Sequence, residues 1–335
     1  MGSLKALALV SGGLDSTLAV KVLQEQGIEV AAINFTSPFC RCSNHAGCGH
    51  LATHMARQLG VELQIEACGE DYLRLVEQPR FGYGRHLNPC LDCRIYKFNR
   101  AKEYMRRIGA SFLVTGEVLG QRPNSQRRDA LRLIDRETGL EGLVLRPLSA
   151  ALLEPTVPER EGWVDRARLL DIRGRTRTRQ IAMAESFGLR DYPCPSGGCL
   201  LADEGFARRA RDFLRHGGHL TARTATLLQT GRHFRLSDHT LGIIGRREAE
   251  NAALEQLAEP DDWILRVLEH PGPVALGRGC VSEADLQRLA RMVVRYSDTP
   301  AGEAASVSAA LPAEEEERVL RTTAAPQTEL DACRL

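Results

Sequence analysis

The sequence predicts an α/β protein in which a doubly wound parallel sheet is followed by a second, smaller α+β domain. Four short apolar runs are predicted strands, at residues 4–10, 30–35, 63–67 and 112–115. Segments with apolar residues at helical spacing alternate with them, at residues 16–26, 51–59 and 93–108. Strands that alternate with helices of this length pair in parallel through right-handed crossovers, so the first part of the chain should form one parallel sheet.

The domain boundaries follow from changes in composition. A chain of 335 residues suggests about two domains. We place the first domain at residues 1–200 and expect a hairpin or a lid over residues 130–147. Residues 201–297 carry shorter apolar runs between turn signals, which indicates the α+β domain. Residues 298–335 are rich in Ala, Pro, Thr and Glu, which predicts a mostly disordered tail.

The overall composition is that of a soluble globular chain, with a net charge of +1. We find no apolar stretch long enough to span a bilayer and no signal peptide, so we expect a cytoplasmic protein without a membrane partner. Ten cysteines in such a protein favour metal or thiol chemistry over disulfides. Three of them, Cys68, Cys280 and Cys333, we interpret as small buried hydrophobic residues.

A phosphate-binding loop follows the first predicted strand. Its sequence is Ser11-Gly12-Gly13-Leu14-Asp15-Ser16, and a helix begins directly after it. The glycines permit a tight turn and close approach to an anion, and the helix start directs N–H groups at the same place. Asp15 in such a site would hold Mg²⁺ or position a loop amide. A plain glycine turn would not require all of these residues together.

A Cys-x-x-Cys pair lies at the entrance to the predicted helix 93–108. Cys90 and Cys93 form it, and the helix N-terminus should lower the pKa of these thiols. Far downstream, Cys194 and Cys199 bring further thiols, one of which would be the third member of the set. The three would suit an iron–sulfur cluster with one open iron, a zinc site completed by Cys194, or a dithiol that carries a persulfide. Unligated buried cysteines are the plainer alternative.

The loop Ser11–Ser16 resembles the signature of the PP-loop ATP pyrophosphatase superfamily, whose members adenylate a carbonyl oxygen and release pyrophosphate. The resemblance spans roughly residues 4–200 and implies ATP and Mg²⁺ at Ser11, Gly12, Gly13, Asp15 and Ser16. The cysteine set is similar to that of the tRNA 2-thiouridine synthetases that carry a 4Fe-4S cluster. That resemblance implies cluster ligands at Cys90, Cys93 and Cys199, with Cys194 as the alternate third ligand, and a catalytic role for Lys97.

One segment departs from that pattern. The synthetases have Thr-Gly-His-Asn after the next strand, whereas this chain has Thr115-Gly116-Glu117-Val118 and continues to Gln121. We expect Gly116 and Gln121 to contribute to nucleotide binding. The strings at residues 115–126, 172–180 and 197–201 are closer to MnmA-like tRNA thiolase relatives, which join a PP-loop domain to a module like the RNA-binding part of NFACT proteins.

A second cysteine group follows the second predicted strand. Cys40, Cys42 and Cys48 have spacings that are compatible with a metal. The group would hold a second metal or supply a relay thiol for sulfur. A loop with free thiols is the plainer interpretation.

Arginine-rich segments point to RNA. Arginines that neutralise phosphates position RNA without reading its sequence. The candidates in the first domain are Arg122, Arg127, Arg128, Arg173, Arg175, Arg177 and Arg179. In the NFACT-like module they are Arg232, Arg235, Arg246 and Arg247, although this module would equally serve as a platform for a homodimer.

Together these patterns predict an ATP-dependent tRNA sulfurtransferase that adenylates a uridine carbonyl oxygen and replaces it with sulfur. Its catalytic residues would be Asp15, Lys97, Cys90, Cys93 and Cys199, and its partners tRNA and a sulfur donor (sulfide, a persulfide or a carrier protein). Alternatives are the same activation with a cysteine persulfide and no cluster, an ATP pyrophosphatase that acts on a small molecule, and a non-enzymatic ATP- or RNA-binding module.

Overall fold

The computed structural model describes residues 4–40, 48–189, 192, 198–314 and 316–335. The chain divides into two compact units, Met1–Ala202 and Asp203–Leu335. The division therefore falls two residues after the boundary expected from composition.

The N-terminal unit is built on a five-stranded sheet with the order β3-β2-β1-β4-β5. Every strand pairing in it is parallel, which confirms the predicted α/β fold. The strands are β1 (Lys5–Leu9), β2 (Glu29–Thr36), β3 (Leu63–Ala67), β4 (Phe112–Thr115) and β5 (Val144–Leu145). The helices are α1 (Leu14–Gln24), α2 (Cys48–Leu59), α3 (Glu70–Glu77), α4 (Cys90–Arg107), α5 (Arg128–Thr138), α6 (Val157–Arg160) and α7 (Thr178–Ser186).

The strand order places a topological switch at β1. From β1 the chain moves to β2 on one side, while β4 pairs with β1 on the other side. In open α/β sheets the crevice beyond the carboxyl ends of such strands is where ligands bind. The phosphate loop follows β1 and residues 116–121 follow β4, so both lie at this edge.

The expected hairpin or lid at residues 130–147 is wrong for most of its length, because residues 128–138 form helix α5. Ala130, Leu131 and Ile134 are buried on one face of α5, whereas most of its charged residues are exposed (Arg128, Asp129, Arg132 and Arg136). That spacing is helical, and Gly139 ends the helix in the left-handed conformation with φ 59°. Only the two residues of β5 are extended.

The C-terminal unit contains a six-stranded sheet with the order β11-β10-β8-β9-β7-β6. All of its pairings are antiparallel, as expected for the predicted α+β domain. The strands are β6 (Arg232–Ser237), β7 (Thr240–Ile244), β8 (Trp263–Val267), β9 (Ala275–Gly279), β10 (Ala304–Ala310) and β11 (Glu317–Thr323). The helices are α8 (Glu204–Arg215), α9 (Ala222–Leu227), α10 (Glu248–Leu257), α11 (Glu283–Arg295) and α12 (Gln327–Cys333).

The prediction of a disordered tail from residue 298 is wrong, since β10, β11 and α12 lie within it. Ala305, Val307 and Ala309 are buried along β10 and pack in the core with Leu286 and Leu289 of α11. Small Ala and Ser residues lower the mean hydropathy of this segment, yet their alternation fits a strand that is paired on both sides.

The three cysteines that were interpreted as buried differ in their exposure. Cys68 is buried, Cys333 is half-buried and Cys280 is exposed, so the interpretation is wrong for Cys280. Among the described residues, no helix combines the length and apolar character that crossing a membrane requires.

Candidate active site at the carboxyl edge of the parallel sheet

The phosphate loop is a compact turn held by its own hydroxyl groups. The Ser16 hydroxyl donates to the Gly13 carbonyl oxygen at 2.8 Å, and the Ser11 backbone N–H donates to Ser16 Oγ at 3.3 Å. Gly13 is the N-cap of α1 and no side chain caps the helix. The first amides of a helix have no partner within it, so this N-terminus favours an anion.

Glycine is required at two positions around the loop. Gly12 has φ 74°, and a Cβ there would lie 2.6 Å from the Leu51 carbonyl carbon. A Cβ on Gly116, just after β4, would lie 2.5 Å from the backbone nitrogen of Ser16. The end of β4 therefore touches the phosphate loop directly, and a side chain at either position would force the backbones apart.

Asp15 is the acidic residue of the loop, and it is only 9% exposed. Its carboxylate accepts from Gln121 at 3.2 Å and from Gln180 at 3.4 Å, and it forms an ion pair with Arg177 at 3.2 Å. The predicted residues Gln121 and Asp15 are thus in contact. Arg177, predicted for RNA, instead lies at the phosphate loop.

Glu117 is the second buried carboxylate at this edge, and it is 2% exposed. It accepts from Arg146 Nε at 3.0 Å and pairs with Arg94 at 3.5 Å. Arg146 in turn pairs with Asp135 at 2.7 Å. Burial opposes the charged form of Glu117, but the guanidinium groups of Arg94 and Arg146 outweigh it and hold the pKa of Glu117 below its usual value.

Arg122 adds positive charge between the loop and the cysteines. The residue is exposed overall, yet desolvation of its guanidinium and the charge of Arg94 lower its pKa. The charges that act on it also include those of Cys90, Glu117 and Arg177. Arg94, Arg122 and Arg177 therefore share one region, where an anion would relieve their mutual repulsion.

The Cys-x-x-Cys pair lies at the first turn of α4, as predicted. The Cys90 thiol donates to Asn88 Oδ1 at 3.1 Å, and the Tyr72 hydroxyl donates to Cys93 Sγ at 3.4 Å. The expected lowering of thiol pKa by the helix N-terminus is wrong for Cys90, because burial raises the pKa of its thiol.

Cys93 is the common neighbour of the other thiols. Together with burial, a negative charge on Cys93 contributes to raising the pKa of Cys90, of Cys199 and of Cys68. Burial, with the Cys93 charge as a second cause, raises the pKa of Cys199 to about 12. Burial likewise raises the pKa of Cys68 to about 12, so Cys68 belongs to this group although sequence analysis gave it only a packing role.

Lys97 lies on α4 one turn after Cys93 and is half-buried. Burial works against its charged form, but the negative charges of Cys93, Cys68 and Cys40 outweigh it and raise the pKa of Lys97. The predicted juxtaposition of Lys97 with the cysteines is therefore present.

The candidate metal ligands are not arranged as a metal centre among the described residues. Over residues 4–40, 48–189, 192, 198–314 and 316–335, no three His, Cys, Asp or Glu side chains are arranged to hold a metal ion. Cys90, Cys93 and Cys199 are neighbours but do not converge on one point. Of the other candidates, Cys42, Cys194 and the side chain of Cys48 lie outside the described residues. Cys40 lies opposite Cys199 in an isolated antiparallel bridge.

Several residues of the site had no usable signal in the sequence. Arg94 stands in the first turns of α4 like any helix arginine, and Arg146 follows an edge strand. Gln180 is fully buried beside Asp15, and its Oε1 has no hydrogen-bond partner among the described residues. Its place at the start of α7 is evident only once the fold brings α7 against α1.

Two family models match the chain, and they match different parts of it. Residues 2–153 match the family described as "Thiamine biosynthesis protein (ThiI)". Residues 231–334 match the family described as "NFACT protein RNA binding domain".

Curated relatives resemble the chain over part of their length. The tRNA-specific 2-thiouridylase MnmA 1 of Syntrophus aciditrophicus is 26% identical over 71% of this chain and 63% of its own length. The tRNA-specific 2-thiouridylase MnmA of Trichlorobacter lovleyi is 36% identical over 33% of this chain and 32% of its own length. The chain therefore spans less than two thirds of the relatives that it matches.

Solved structures give weaker likenesses. A 4-thiouridine synthetase in complex with RNA and ATP shares 26% identity over 43% of this chain and 36% of its own, with a TM-score of 0.35. The U34-tRNA thiolase NcsA from Methanococcus maripaludis, with its [4Fe-4S] cluster, shares 18% identity over 68% of this chain and 74% of its own, with a TM-score of 0.32. Since both TM-scores are below 0.5, neither likeness bears on function.

The comparisons thus divide the chain into two parts: residues 2–153 match the ThiI family model and are similar to MnmA-type thiouridylases, and residues 231–334 match the model of the NFACT RNA-binding domain.

Proposed function

We propose that this protein is an ATP-dependent tRNA sulfurtransferase that adenylates a uridine carbonyl oxygen, releases pyrophosphate and replaces the oxygen with sulfur. The observation that carries the proposal is the composition of one sheet edge. Asp15 of the phosphate loop pairs with Arg177, and the Cys90 thiol lies near Arg94 and Arg122 of the same group of arginines. Activation by ATP and delivery of sulfur need these two sets of groups close together.

The first half-reaction uses the phosphate loop. The uncapped amides of α1 would bind the phosphates of ATP, and the Asp15 carboxylate would hold Mg²⁺. The contacts of Asp15 with Gln121, Gln180 and Arg177 are 3.2–3.4 Å long, and a metal ion bound to this carboxylate would replace them. The uridine oxygen attacks the α-phosphorus, the bond to the β-phosphate oxygen breaks, and pyrophosphate leaves.

The arginines then stabilise the charge that this step develops. Arg94, Arg122 and Arg177 face a region that has more positive than negative side chains, which suits a departing pyrophosphate. Donors that are in place before the reaction stabilise such charge most effectively. Arg177, which pairs with Asp15 in this structure, would contact a phosphate oxygen when the Asp15 carboxylate is bound to Mg²⁺.

The second half-reaction replaces the activated oxygen. Sulfur adds to the ring carbon, and AMP leaves with the oxygen. Lys97, which is held protonated beside Cys93, would stabilise negative charge on the incoming sulfur.

Cys90, Cys93 and Cys199 are the residues that would hold a 4Fe-4S cluster. Thiols are the right donors for iron, and Cys93 adjoins both of the others, so the donor set fits. When bound, the cluster would supply an iron site for the sulfide. Because the three sulfurs do not converge as they stand, a shift of side chains must accompany loading.

That same lack of convergence supports a second candidate, in which one of the thiols carries a persulfide and no cluster forms. Cys93 is placed for this role, since it has Lys97 one turn away and Cys199 beside it. Single Cys→Ser variants separate the two candidates. A cluster fails with the loss of any of Cys90, Cys93 and Cys199, whereas a persulfide route needs only one or two of them.

The C-terminal unit would bind tRNA. Its match to an RNA-binding family and the names of the relatives support this partner. Of the predicted arginines, Arg247 is the most open, with a side chain that is 72% exposed. Arg235 is instead hydrogen-bonded to Asp212, and Arg246 to Glu250. A platform for a homodimer remains the alternative use of this unit.

Two measurements test the proposal. Purified protein should catalyse ATP–pyrophosphate exchange that depends on Asp15, and nucleosides from a deletion strain should lack one thiolated uridine by mass spectrometry. Exchange that requires a small molecule and not tRNA would replace tRNA with a metabolite as the substrate. Absence of exchange would leave a non-enzymatic binding module.

A further inference from the structure

Cys40 and Cys199 lie opposite each other on two extended segments of the N-terminal unit. They form an isolated antiparallel bridge, and the Leu200 N–H donates to the Phe39 carbonyl oxygen at 2.8 Å. This hydrogen bond joins the residue after Cys199 to the residue before Cys40. The two cysteines are therefore a non-hydrogen-bonded pair, the kind in which opposite side chains approach most closely.

The spacing of such a pair matches that of a disulfide. Opposite residues in a non-hydrogen-bonded pair have Cα atoms about 4.5 Å apart, and disulfides bridge Cα atoms about 4.4–6.8 Å apart. Cys40 and Cys199 are both half-buried thiols, so a small reagent can reach them. No change of backbone pairing is needed to join them.

We propose that Cys40 and Cys199 form a reversible disulfide that withdraws Cys199 from sulfur chemistry. The pairing rests on the bridge alone, whereas its effect on sulfur transfer rests on the proposed function. The oxidant is a low-molecular-weight disulfide. The thiolate of one cysteine attacks it and releases one thiol, and the second cysteine attacks the mixed disulfide and releases another. Two electrons and two protons pass from the protein to the reagent.

The disulfide and a ligand on Cys199 exclude each other. A sulfur atom that is bonded to Cys40 is no longer a thiolate, so it neither binds iron nor carries a persulfide. Conversely, a cluster on Cys199 blocks the disulfide. Formation of the disulfide would thus protect Cys199 from irreversible oxidation, and reduction of the disulfide would restore the Cys199 thiol.

The pairing is tested by treating the full chain with oxidised glutathione and mapping disulfides by mass spectrometry after trypsin. Cleavage after Arg41 separates Cys40 from Cys42, but Cys194 and Cys199 remain in one peptide, 191–208. The mapping is therefore done in a Cys194→Ser background. A link between peptides 22–41 and 191–208 is the expected result, and dithiothreitol should remove it.

Two variants control the assignment. Cys40→Ser should abolish the link, while Cys42→Ser, two positions along the same segment, should leave it. A link of Cys199 to Cys93 or Cys68 in place of Cys40, or no link under conditions that form mixed disulfides elsewhere, would overturn the pairing.

A second measurement separates this inference from the proposed function. Protein loaded with iron and sulfide under reducing conditions, then freed of reductant, should resist the cross-link until iron is removed with a chelator. Cross-linking at the same rate with and without iron would overturn the competition at Cys199. Protein that binds no iron yet forms the link would refute the cluster and leave the disulfide standing.

Discussion

The two units of the chain differ in how their arginines are paired with carboxylates. In the C-terminal unit three arginines donate hydrogen bonds directly to a carboxylate: Arg235 to Asp212, Arg246 to Glu250 and Arg278 to Asp262. At the sheet edge of the N-terminal unit, Arg94, Arg122 and Arg177 instead share Asp15 and Glu117. An arginine paired with one carboxylate helps to hold the fold. Where arginines outnumber the carboxylates, an anionic ligand is expected to bind.

At the same edge of the parallel sheet, Arg146 pairs with both Glu117 and Asp135. We expect these ion pairs to contribute to the stability of the fold, as those of the C-terminal unit do. Replacing Arg146 with Met leaves half-buried Asp135 without its paired guanidinium and buried Glu117 with only Arg94 at 3.5 Å, so the free energy of unfolding should fall by about 3–5 kcal/mol. Urea denaturation of the N-terminal unit would measure it. The double variant Arg146→Met/Glu117→Gln should recover part of the loss, and a single variant as stable as the wild type would contradict the assignment.

Substitution of Asp15 should lower the activity strongly and the stability only slightly. We expect Asp15→Asn to slow ATP–pyrophosphate exchange by on the order of 100-fold or more, since Mg²⁺ loses its carboxylate. The change in unfolding free energy should stay below about 1 kcal/mol, because the amide keeps the small volume of the side chain. The matched control is Asp212→Asn, which breaks the Arg235 pair in the other unit and should show the reverse result.

The C-terminal unit also buries a neutral base, which should make it sensitive to acid. Burial lowers the pKa of His233 to about 3 from an ordinary 6.5. The unfolded chain therefore binds a proton between these values that the folded chain does not. The stabilisation is complete above pH 6.5 and is lost as the pH falls towards 3, by about 1.4 kcal/mol per pH unit.

Denaturation of the chain in buffers between pH 7 and 5 would give this slope for the C-terminal unit. His233→Gln keeps a side-chain donor for the Thr230 carbonyl oxygen, 3.0 Å from the imidazole, and should flatten the slope. An equal slope in the variant would assign the acid sensitivity to other groups.

The smallest of the expected effects concerns RNA binding, and it compares Arg247, which pairs with Glu250 only at 3.8 Å, with Arg246, which donates to the same carboxylate at 2.7 Å. Arg247→Gln should weaken tRNA binding and reduce the slope of log affinity against log salt by about 1, as expected for one lost phosphate contact. Arg246→Gln, with its guanidinium already on Glu250, should leave the slope unchanged. A gel shift at several salt concentrations measures both, and equal slopes for wild type and Arg247→Gln would remove Arg247 from the interface.

The parallel sheet and the phosphate loop could be predicted because each depends on local sequence. The alternation of strand and helix is visible in the apolar spacing, and the loop is a contiguous string between β1 and α1. In the C-terminal unit, β7, β8 and β9 have the same kind of signal. Composition is misleading where small residues form paired strands, as in β10, and in the charged helix α5, for which the sequence predicts a hairpin or a lid.

The site is less predictable because its members come from distant parts of the chain. Arg177 and Gln180 meet Asp15 across more than 160 positions, and no spacing in the sequence indicates that contact. Arg177 was predicted for RNA since arginine suits phosphate in either partner. Burial of the thiols, which raises the pKa of Cys199 to about 12, likewise depends on packing and not on the motif.

The close contact between Gly116 and the phosphate loop has a thermodynamic consequence. Gly116, just after β4, lies in close contact with the backbone of Ser16. The loop therefore has the conformation that its hydroxyl contacts define before a nucleotide binds. Little conformational entropy remains to be lost on binding, so more of the contact energy contributes to affinity. A nucleotide should therefore associate with a small entropic penalty from the loop, and Gly116→Ala should enlarge that penalty even where the variant still folds.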